Sequence, residues 1–285
     1  MEYPVGVALA ASVAKLPRGA GWWYEPKFDG DRAVLWRRDT VRIQTRAGRN
    51  ATAQWLDIAT AAMNLPPDTV LDGEAVIWRD GRIDFGAVRS RASARGRRLT
   101  DLLHRYPASY AAFDCLMLAG QDLRPRPYAE RRAALLEALA DARPPIQAVP
   151  ATDDPEVALA WYEHLPEQGI EGIVAKQASS PYRAARIWKK IRHSETTDAV
   201  VVGYVGPADR PRRAAVRLPD GRRVLSQALT PLVAAEVARL AAESGPGQRA
   251  RTDDGEEYTA TGAGMVVEVE AGTTRHATVA VLRVR

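Results

Sequence analysis

Several chemically useful residue types are rare in this sequence. Cys115 is the only cysteine, which excludes an internal disulfide and a zinc site built on several cysteines. The four histidines are scattered without metal-ligand spacing. No apolar run approaches the roughly 20 residues of a membrane span, and the first residues show no secretion signal. We therefore expect a cytoplasmic protein without membrane contact, in which Cys115 is a buried structural thiol.

Lysine is the most informative shortage. The sequence has 40 Lys and Arg residues together, but only five of them are lysines. Arginine keeps its proton, whereas a lysine amine can lose its proton and attack an electrophile. A lysine retained in so arginine-rich a chain is therefore a candidate for covalent chemistry. The five are Lys15, Lys27, Lys176, Lys189 and Lys190.

The charge is unevenly distributed along the 285 residues, a length that suits one large domain or two ordinary ones. The net charge is +5, which makes polyanions natural partners, although a merely solvated arginine-rich surface explains it equally well. Residues 195–285 contain 12 Arg and 12 Asp or Glu. The whole excess of positive charge therefore lies in residues 1–194.

The hydrophobic pattern changes character at about residues 193–198. Before this boundary, strands alternate with helices. We predict a hairpin at 34–45, strands at 70–78, 170–176 and 187–192, and helices at 52–63, 128–140 and 154–165. After it, short strands at 199–205, 213–218, 222–228, 263–270 and 277–284 surround one helix at 230–242. The second pattern predicts a small β-barrel.

Charged residues interrupt several apolar strands of the first region. Charges that face a core are costly unless they are paired or bound to something. If these segments pack together, they line a cleft that suits a metal–phosphate group, because carboxylates hold Mg²⁺ and cations hold phosphate oxygens. Any one of them alone is equally well explained by a turn or bulge. The residues are Lys27, Asp29, Asp72, Glu74, Asp114, Glu171, Lys176, Lys189 and Lys190.

Six segments, in their order along the chain, carry a specific resemblance. They are Lys-Phe-Asp-Gly at 27–30 with Glu25 before it and Arg32 after it, Thr-Arg-Ala-Gly at 45–48, Asp-Gly-Glu at 72–74, Phe-Asp at 113–114, Glu-Gly-Ile-Val-Ala-Lys at 171–176, and Trp-Lys-Lys-Ile-Arg at 188–192. This series resembles the motifs of the ATP-dependent DNA ligases, which are covalent nucleotidyltransferases. The resemblance implies an α+β fold. An adenylyltransferase domain of two packed antiparallel sheets with helices, at residues 1–194, would precede a small OB-fold β-barrel at 195–285.

The resemblance also implies a role for each matching residue. Lys27 would attack the α-phosphorus of ATP and carry AMP as a phosphoramidate, with nearby Lys190 and Mg²⁺ favouring the neutral amine. Glu25 and Phe113 would hold adenine. Glu74 and Arg32 would contact ribose or the nick phosphate, and Arg46 would contact the nick 5′-phosphate. Asp29 and Glu171 would bind metal. The α-phosphate would be contacted by Lys176, Lys190 and Arg192.

Two segments depart from the ligase pattern. Arg192 stands where these ligases usually carry lysine, which keeps the charge but changes the geometry of the contact. The C-terminal motif matches only loosely, at residues 274–276 and 281–285. Arg283 is the candidate for its basic residue, and a plain closing strand is the alternative interpretation.

An arginine run at residues 89–98 contains no aromatic side chain, so it cannot be a base-stacking platform. We predict a flexible loop that contacts DNA phosphates, and a merely solvated loop fits equally well. The residues concerned are Arg89, Arg91, Arg95, Arg97 and Arg98.

The sequence therefore predicts an enzyme that seals 3′-OH/5′-phosphate nicks in duplex DNA, using ATP with Mg²⁺ or alternatively Mn²⁺. We expect a monomer of minimal two-domain type, without an added DNA-binding, nuclease or polymerase domain. Recruitment by a repair polymerase or an end-binding protein is a further hypothesis. The alternatives are an RNA ligase of the same superfamily, an mRNA-capping guanylyltransferase, which Glu25 disfavours, and a catalytically weak nick-binding scaffold.

Overall fold

The chain divides into two units, unit 1 over Met1–His193 and unit 2 over Ser194–Arg285. The computed structural model describes residues 1–192, 196–270 and 279–285. Within these ranges, no helix is both long and apolar enough to cross a membrane.

Unit 1 is a mixture of strands and short helices. Its strands are β1 (Leu9–Ser12), β2 (Trp22–Phe28), β3 (Asp31–Arg37), β4 (Val41–Thr45), β5 (Thr69–Arg79), β6 (Arg82–Ile83), β7 (Ala108–Leu118), β8 (Gln121–Asp122), β9 (Ile146–Ala148), β10 (Ile170–Gln177) and β11 (Arg186–Arg192). Its helices are α1 (Leu56–Ala61), α2 (Phe85–Ser93), α3 (Gly96–Arg105), α4 (Tyr128–Ala138) and α5 (Pro155–His164). Single 3₁₀ turns follow α1 and α5, at Ala62–Asn64 and Pro166–Gln168.

Two sheets organise unit 1. The larger has the order β4-β3-β5-β7-β8, with β6 on β5 and β9 on β7, and the smaller has the order β1-β11-β10-β2. Their pairings are antiparallel except for β1 with β11 and β7 with β9. Because successive side chains of a strand point to opposite faces, Leu35 packs with the helix-side core around Trp55. Val34 and Trp36 pack instead with Trp188 of the smaller sheet.

Local polar contacts decide where two predicted helices begin. The predicted start of α5 is confirmed, because the Asp154 side chain accepts a hydrogen bond from the Glu156 amide at 2.8 Å and Pro155 follows it. The predicted start of α1 at residue 52 is wrong by four residues. Asn50 accepts from the Thr52 amide at 2.9 Å, and Thr52 Oγ1 accepts from the Ile43 amide at 2.9 Å. These side-chain contacts compete with a helical start at this turn.

The prediction of a flexible loop at residues 89–98 is wrong. The segment forms the end of α2 and the start of α3, and the Asp84 side chain caps α2 by accepting from the Ala87 amide at 2.8 Å. Arg91 is fully buried, stacks over Trp55, and forms an ion pair with Asp57. Its Nε also donates to the Gln54 carbonyl at 2.8 Å. Arg91 is therefore a structural anchor and not a DNA contact.

In its described residues, unit 2 is a single antiparallel sheet with one helix packed against it. Its strands are β12 (Thr196–Val205), β13 (Arg213–Arg217), β14 (Arg223–Leu225), β15 (Arg249–Arg251), β16 (Glu257–Glu270) and β17 (Ala280–Val284), and its helix is α6 (Pro231–Ser244). The strand order is β14-β13-β12-β16-β15, with β17 on β16. Val237 and Leu240 of α6 pack against Val267 and Val269 of β16. The long central strands carry register shifts, which bend a sheet and help it to curl.

Candidate active site

A cavity of about 280 Å³ lies in unit 1, between its two sheets. Pockets that hold small ligands are commonly about 300–1,000 Å³, so this cavity is close to the lower end of that range. Residues that line it are Leu9, Ala10, Glu25, Pro26, Lys27, Phe28, Val174, Lys176, Arg186, Trp188, Lys190 and Arg192 of the smaller sheet, and Arg32, Arg46, Glu74 and Phe113 of the larger sheet and its flanking turn.

Strand register aligns the charges of the smaller sheet. In one row, Gly172 of β10 lies between Lys27 of β2 and Arg192 of β11. In the next row, Val174 lies between Glu25 and Lys190. Because alternate residues share a face, both rows project the charged side chains into the cavity.

A bulge in β10 turns Glu171 towards the first row. The pairing with β2 shifts between Ile170 and Gly172, and Gly172 has a φ of 153°. A Cβ atom on Gly172 would lie 2.1 Å from the Ile191 carbonyl oxygen, so only glycine fits. The bulge lets the Glu171 carboxylate form ion pairs with Lys27 and with Arg192 Nε, the latter at 3.0 Å.

A second bulge exposes Phe113 to the cavity. The pairing of β5 with β7 shifts, so that Gly73 faces Ala112 while Asp72 faces Asp114. Phe113 lies in this irregularity and makes an edge-on contact with Trp188, with ring centroids 5.8 Å apart. The two bulges therefore direct two predicted site residues, Glu171 towards the first row and Phe113 towards the cavity.

One end of the cavity is enclosed, and its charged groups are hydrogen-bonded to one another. We call Glu25, Tyr128, Lys176 and Phe113 the closed end. The two Glu25 oxygens accept from the Tyr128 hydroxyl at 2.5 Å and from Lys176 Nζ at 2.8 Å, and Lys176 also donates to the Phe113 carbonyl at 2.7 Å. The Lys176 and Glu25 side chains are only 1% and 3% exposed. Burial lowers the pKa of Lys176, and the Glu25 carboxylate opposes that shift.

The other end is more open and rich in cations. We call Lys27, Glu171, Lys190 and Arg192 the open end. The Lys27 and Arg192 side chains are 22% and 32% exposed. Burial lowers the pKa of Lys190 to about 8, and the positive charges of Arg192 and Lys27 add to the effect. An anion at this end would therefore meet three cations, two of which, Lys27 and Arg192, pair with the Glu171 carboxylate.

Buried pairs hold the side chains that frame the cavity. Arg32 binds Asp72 through Nε at 2.6 Å and Nη2 at 2.5 Å, and the Tyr182 hydroxyl donates to the same carboxylate at 2.5 Å. Asp114 pairs in the same bidentate way with Arg131 of α4, at 2.7 and 3.0 Å. Asp72 and Asp114 were predicted to face the cleft, but both are fully buried supports for these arginines.

Glu74 faces Arg32 across the β3–β5 pair and lines the cavity. Burial raises the pKa of Glu74 to about 7, although Lys27 and Arg32 act in the opposite direction. This carboxyl group therefore changes its charge near neutral pH in the ligand-free protein.

The cavity does not contain a ready-made metal cage. In the described part of the chain, no three His, Cys, Asp or Glu side chains converge on one point. Asp29 is half-buried just after β2 and is not a lining residue of the cavity, whereas Glu171 reaches Lys27. This donor set suits Mg²⁺, which commonly uses one or two carboxylates, substrate phosphates and water.

The structure brings most of the predicted site together. Nine of the predicted residues line the cavity: Glu25, Lys27, Arg32, Arg46, Glu74, Phe113, Lys176, Lys190 and Arg192. The exposed arginines of α2, α3 and the turn between them are not lining residues: Arg89, Arg95, Arg97 and Arg98. Arg283 lies in unit 2 and pairs with Glu268 at 2.5 Å, while residues 274–276 of the same predicted motif lie outside the described residues.

Sequence reasoning missed the side chains that support the site. Tyr128 begins an ordinary amphipathic helix, and nothing in its neighbourhood in the sequence indicates a contact with a residue 103 positions away. Tyr182, which holds Asp72, lies between two predicted strands and gave no signal either. Arg186 could have been found, because it shares the two-residue period of Trp188 and Lys190 along β11.

A lysine amine, a cluster of cations and a carboxylate-backed pocket between two such sheets are the features expected of a covalent nucleotidyltransferase. The model of the ATP-dependent DNA ligase domain matches residues 8–192. The chain belongs to the ATP-dependent DNA ligase family.

Curated relatives and solved structures agree with this membership. The chain is 38% identical to DNA ligase C2 of Mycolicibacterium smegmatis over 204 residues, which is 70% of this chain and 57% of that protein. It is 38% identical to DNA ligase C of Mycobacterium tuberculosis over 208 residues, which is 70% of this chain and 58% of that protein. The chain thus spans less than two thirds of the length of these relatives.

Solved structures show the fold. A Lig E DNA ligase superposes with a TM-score of 0.66 at 18% identity, covering 99% of each chain. The ligase domain of M. tuberculosis LigD superposes with a TM-score of 0.55 at 24% identity, covering 98% of this chain and 93% of that one. The predicted α+β fold class, a nucleotidyltransferase fold combined with an OB fold, is confirmed.

Proposed function

We propose that this chain is an ATP-dependent DNA ligase that seals 3′-OH/5′-phosphate nicks in duplex DNA. The observation that carries the proposal is the position of Lys27. Its amine lines the cavity at the open end, in the cross-strand row of Arg192, while the Glu25 carboxylate lies on the same strand at the closed end. A nucleotide with its base at the closed end would place its phosphates among Lys27, Lys190 and Arg192.

The first chemical step joins Lys27 to AMP. The Lys27 nitrogen attacks the α-phosphorus of ATP, a P–N bond forms, and the bond to the bridging oxygen breaks so that pyrophosphate leaves. The Lys27 nitrogen, an ammonium in its ion pair with Glu171, must lose one proton before it attacks and a second as the P–N bond forms. Glu171 already accepts a hydrogen bond from that nitrogen, so it can take the first proton, and the second passes to water or to the leaving pyrophosphate. Lys190 and Arg192 would stabilise the negative charge that grows on the α-phosphate oxygens.

The later steps return Lys27 to its free form. A 5′-phosphate oxygen of the DNA attacks the α-phosphorus and breaks the P–N bond, which moves AMP to the DNA end. The 3′-hydroxyl then attacks that 5′-phosphorus, and AMP leaves as the strand closes. We assign ribose or nick-phosphate contacts to Arg32 and Glu74, and the 5′-phosphate contact to Arg46, which is exposed beside the cavity.

Mg²⁺, or alternatively Mn²⁺, would supply further positive charge to the ATP phosphates. Glu171 is the protein ligand that the geometry supports best, because it lies beside the reactive amine. Asp29 follows the same strand as Lys27 and is a second candidate ligand, with less support because it does not line the cavity.

Lys176 is better supported as part of the adenine pocket than as an α-phosphate contact. Its amine is held by Glu25 and the Phe113 carbonyl, and it lies over the rings of Trp188, Tyr128 and Phe113 at 4.4, 4.8 and 5.0 Å. Because these partners surround the Lys176 amine, it cannot also contact a phosphate at the open end. We therefore assign the α-phosphate contacts to Lys190 and Arg192 alone.

Exposed arginines of α2, α3 and the turn between them are proposed to contact DNA phosphates: Arg89, Arg95, Arg97 and Arg98. The double substitution Arg97→Gln/Arg98→Gln should lower the slope of log affinity against log salt for a nicked duplex by up to about 2, since each phosphate contact contributes about 0.9. Arg239→Gln, at an exposed arginine already paired with Glu236 and Glu243, is the control. An unchanged slope in the double variant would remove this helix pair from the DNA interface.

We further propose that unit 1 is the adenylyltransferase domain and unit 2 the OB-fold domain of a monomeric, cytoplasmic repair enzyme. A repair polymerase or an end-binding protein would recruit it to broken DNA. Sedimentation of the chain with and without nicked duplex tests the monomer, since a mass of two chains on one nick would contradict it.

The decisive experiment measures the intact mass of the chain after incubation with ATP and Mg²⁺. A gain of one AMP is expected for the natural sequence and for Lys15→Ala, whose lysine is exposed and outside the motifs, but not for Lys27→Ala or with GTP. Nicked duplexes with a DNA or an RNA strand then separate DNA joining from RNA joining. Absence of any gain, in protein free of AMP from the start, would instead favour a nick-binding scaffold.

A further inference from the structure

We infer that Tyr128 is a positioning residue for base selection, which acts with Lys176 to orient the Glu25 carboxylate towards a base with an exocyclic amino group at its six-position. The inference rests on the proposed binding of ATP in this cavity. It concerns a tyrosine that lies outside every motif of the sequence analysis.

Glu25 is a buried carboxylate that still faces the cavity. Its side chain is 3% exposed, yet it lines the cavity. An ionised carboxylate has about four acceptor positions on its two oxygens, and here one oxygen accepts from Tyr128 and the other from Lys176. Each oxygen therefore keeps further acceptor capacity for a donor that enters the cavity.

Tyr128 and Lys176 together hold the Glu25 carboxylate in place. Both donors are enclosed: the Tyr128 residue is fully buried, and its ring packs edge-on against Trp23 at 6.4 Å between centroids. Two buried donors fix the plane of the carboxylate and use one acceptor position on each of its oxygens. The remaining acceptor positions of Glu25 are therefore presented to the ligand in a fixed orientation.

The orientation of Glu25 distinguishes between purine bases. Adenine offers an amino donor at its six-position, whereas guanine offers a carbonyl oxygen there and unsubstituted purine offers neither. Against the carboxylate oxygens of Glu25, the amino group of adenine forms a hydrogen bond and the carbonyl oxygen of guanine is repelled. Unsubstituted purine makes no contact there. Lys176 does not rescue guanine, because Glu25, the Phe113 carbonyl and the aromatic rings engage its amine.

Tyr128 makes this arrangement depend on a single hydroxyl. In Tyr128→Phe the ring stays in place, but one Glu25 oxygen loses its buried donor. The carboxylate is then free to rotate, so its acceptor positions no longer keep one direction towards the ligand. Base discrimination should fall, while contacts to the sugar and phosphate remain.

The test compares the binding of AMP, purine riboside 5′-monophosphate and GMP to the full chain by titration calorimetry, after its intact mass shows it to be free of covalent AMP. The natural sequence should bind AMP about tenfold or more tightly than the purine analogue, the size expected for a hydrogen bond to a charged group. Tyr128→Phe should reduce this ratio to about threefold or less, with the affinity for the purine analogue unchanged.

Matched variants keep the result interpretable. Tyr110→Phe also removes a buried hydroxyl, which donates to the Ala33 and Leu71 carbonyls away from the cavity, so the AMP preference should remain as in the natural sequence. Glu25→Gln should lose the preference, and adding Tyr128→Phe to it should change nothing further, because Tyr128 acts through Glu25.

A preserved AMP preference in Tyr128→Phe, or equal losses in Tyr128→Phe and Tyr110→Phe, would overturn the role of Tyr128 and leave the ligase proposal intact. Failure of the natural sequence to bind either AMP or ATP would overturn both proposals.

Discussion

The two ends of the cavity use the same residue types in opposite ways. At the closed end, Lys176 and Glu25 are 1% and 3% exposed, and each has further buried partners besides the other. At the open end, Lys27 is 22% exposed, and Lys27 and Arg192 share the single carboxylate of Glu171. Both ends contain a lysine–glutamate pair on neighbouring strands of one sheet, so the difference lies in burial and in the number of partners.

This difference lets the two ends of one cavity respond differently to a ligand. Breaking a buried pair leaves an uncompensated charge in a poorly solvated place, so the closed end is expected to keep its geometry when a ligand enters. At the open end the Lys27 and Arg192 side chains are 22% and 32% exposed, although Glu171 between them is only 9% exposed. Partly exposed cations are better solvated, so an arriving phosphate can reach them and replace Glu171 as their partner.

The largest expected effect comes from breaking the closed end. Lys176→Met should lower the free energy of unfolding of unit 1 by about 3–5 kcal/mol, because Glu25 loses its buried counter-charge. Urea unfolding followed by tryptophan fluorescence isolates this unit, since all seven tryptophans lie within residues 22–188.

Two variants sharpen the Lys176 experiment. Lys15→Met changes an exposed lysine and should leave the unfolding free energy within about 0.5 kcal/mol of the natural value. Lys176→Met combined with Glu25→Gln should recover part of the loss, because no unpaired charge remains. A loss below about 1 kcal/mol for Lys176→Met alone would show that the closed end is not the rigid one.

The next effect tests the open end through its shared carboxylate. Glu171→Gln keeps the size of the side chain but removes the charge that holds Lys27 and Arg192. We expect adduct formation with ATP to slow about a hundredfold or more, with little change in stability, because the positioning and deprotonation of the amine are both lost. The rate is read from intact mass against time.

Glu130→Gln is the matched control for Glu171, because it changes an exposed carboxylate of α4 whose partner Arg126 is 3.8 Å away. It should form the adduct at the natural rate. If Glu171→Gln instead unfolds unit 1 as readily as Lys176→Met does, the contrast between the two ends fails.

The smallest effect is a pH dependence at the open end. Burial, Arg192 and Lys27 lower the pKa of Lys190 to about 8, so its ammonium form is mostly present at pH 7 and mostly lost at pH 9. The affinity for adenosine 5′-(α,β-methylene)triphosphate, which cannot transfer AMP, should therefore fall by up to about tenfold as pH rises from 7 to 9. ATP-type phosphates are already ionised in this range, as phosphate pKa values lie near 6.

Lys190→Arg should remove most of that pH dependence, because guanidinium stays charged throughout. Lys15→Arg changes an exposed lysine and should leave the pH profile as it is. A profile in Lys190→Arg as steep as the natural one would assign the titration to another group.

Much of the secondary structure followed from local signals. The hairpin of β3 and β4 falls where the alternating pattern put it, and α5 starts at the predicted Asp154 cap. The prediction of a flexible loop at the arginine run was wrong, because the helix buries Arg91 against Asp57, which lies 34 residues earlier in the chain. The aliphatic part of an arginine side chain can cover apolar surface, but a sequence pattern counts the residue only as charged.

The sequence by itself determined which reactive residue types this protein carries: a rare lysine in a glycine-turn motif, the carboxylates and cations that accompany it, and their order along the chain. Only the tertiary structure decided which charges work together. Strand register set Lys27 beside Arg192, a bulge that only Gly172 permits turned Glu171 between them, and α4 delivered Tyr128 to Glu25. The physical reason is that residue types carry reactivity wherever they are, whereas burial and partners depend on contacts between segments more than 100 residues apart.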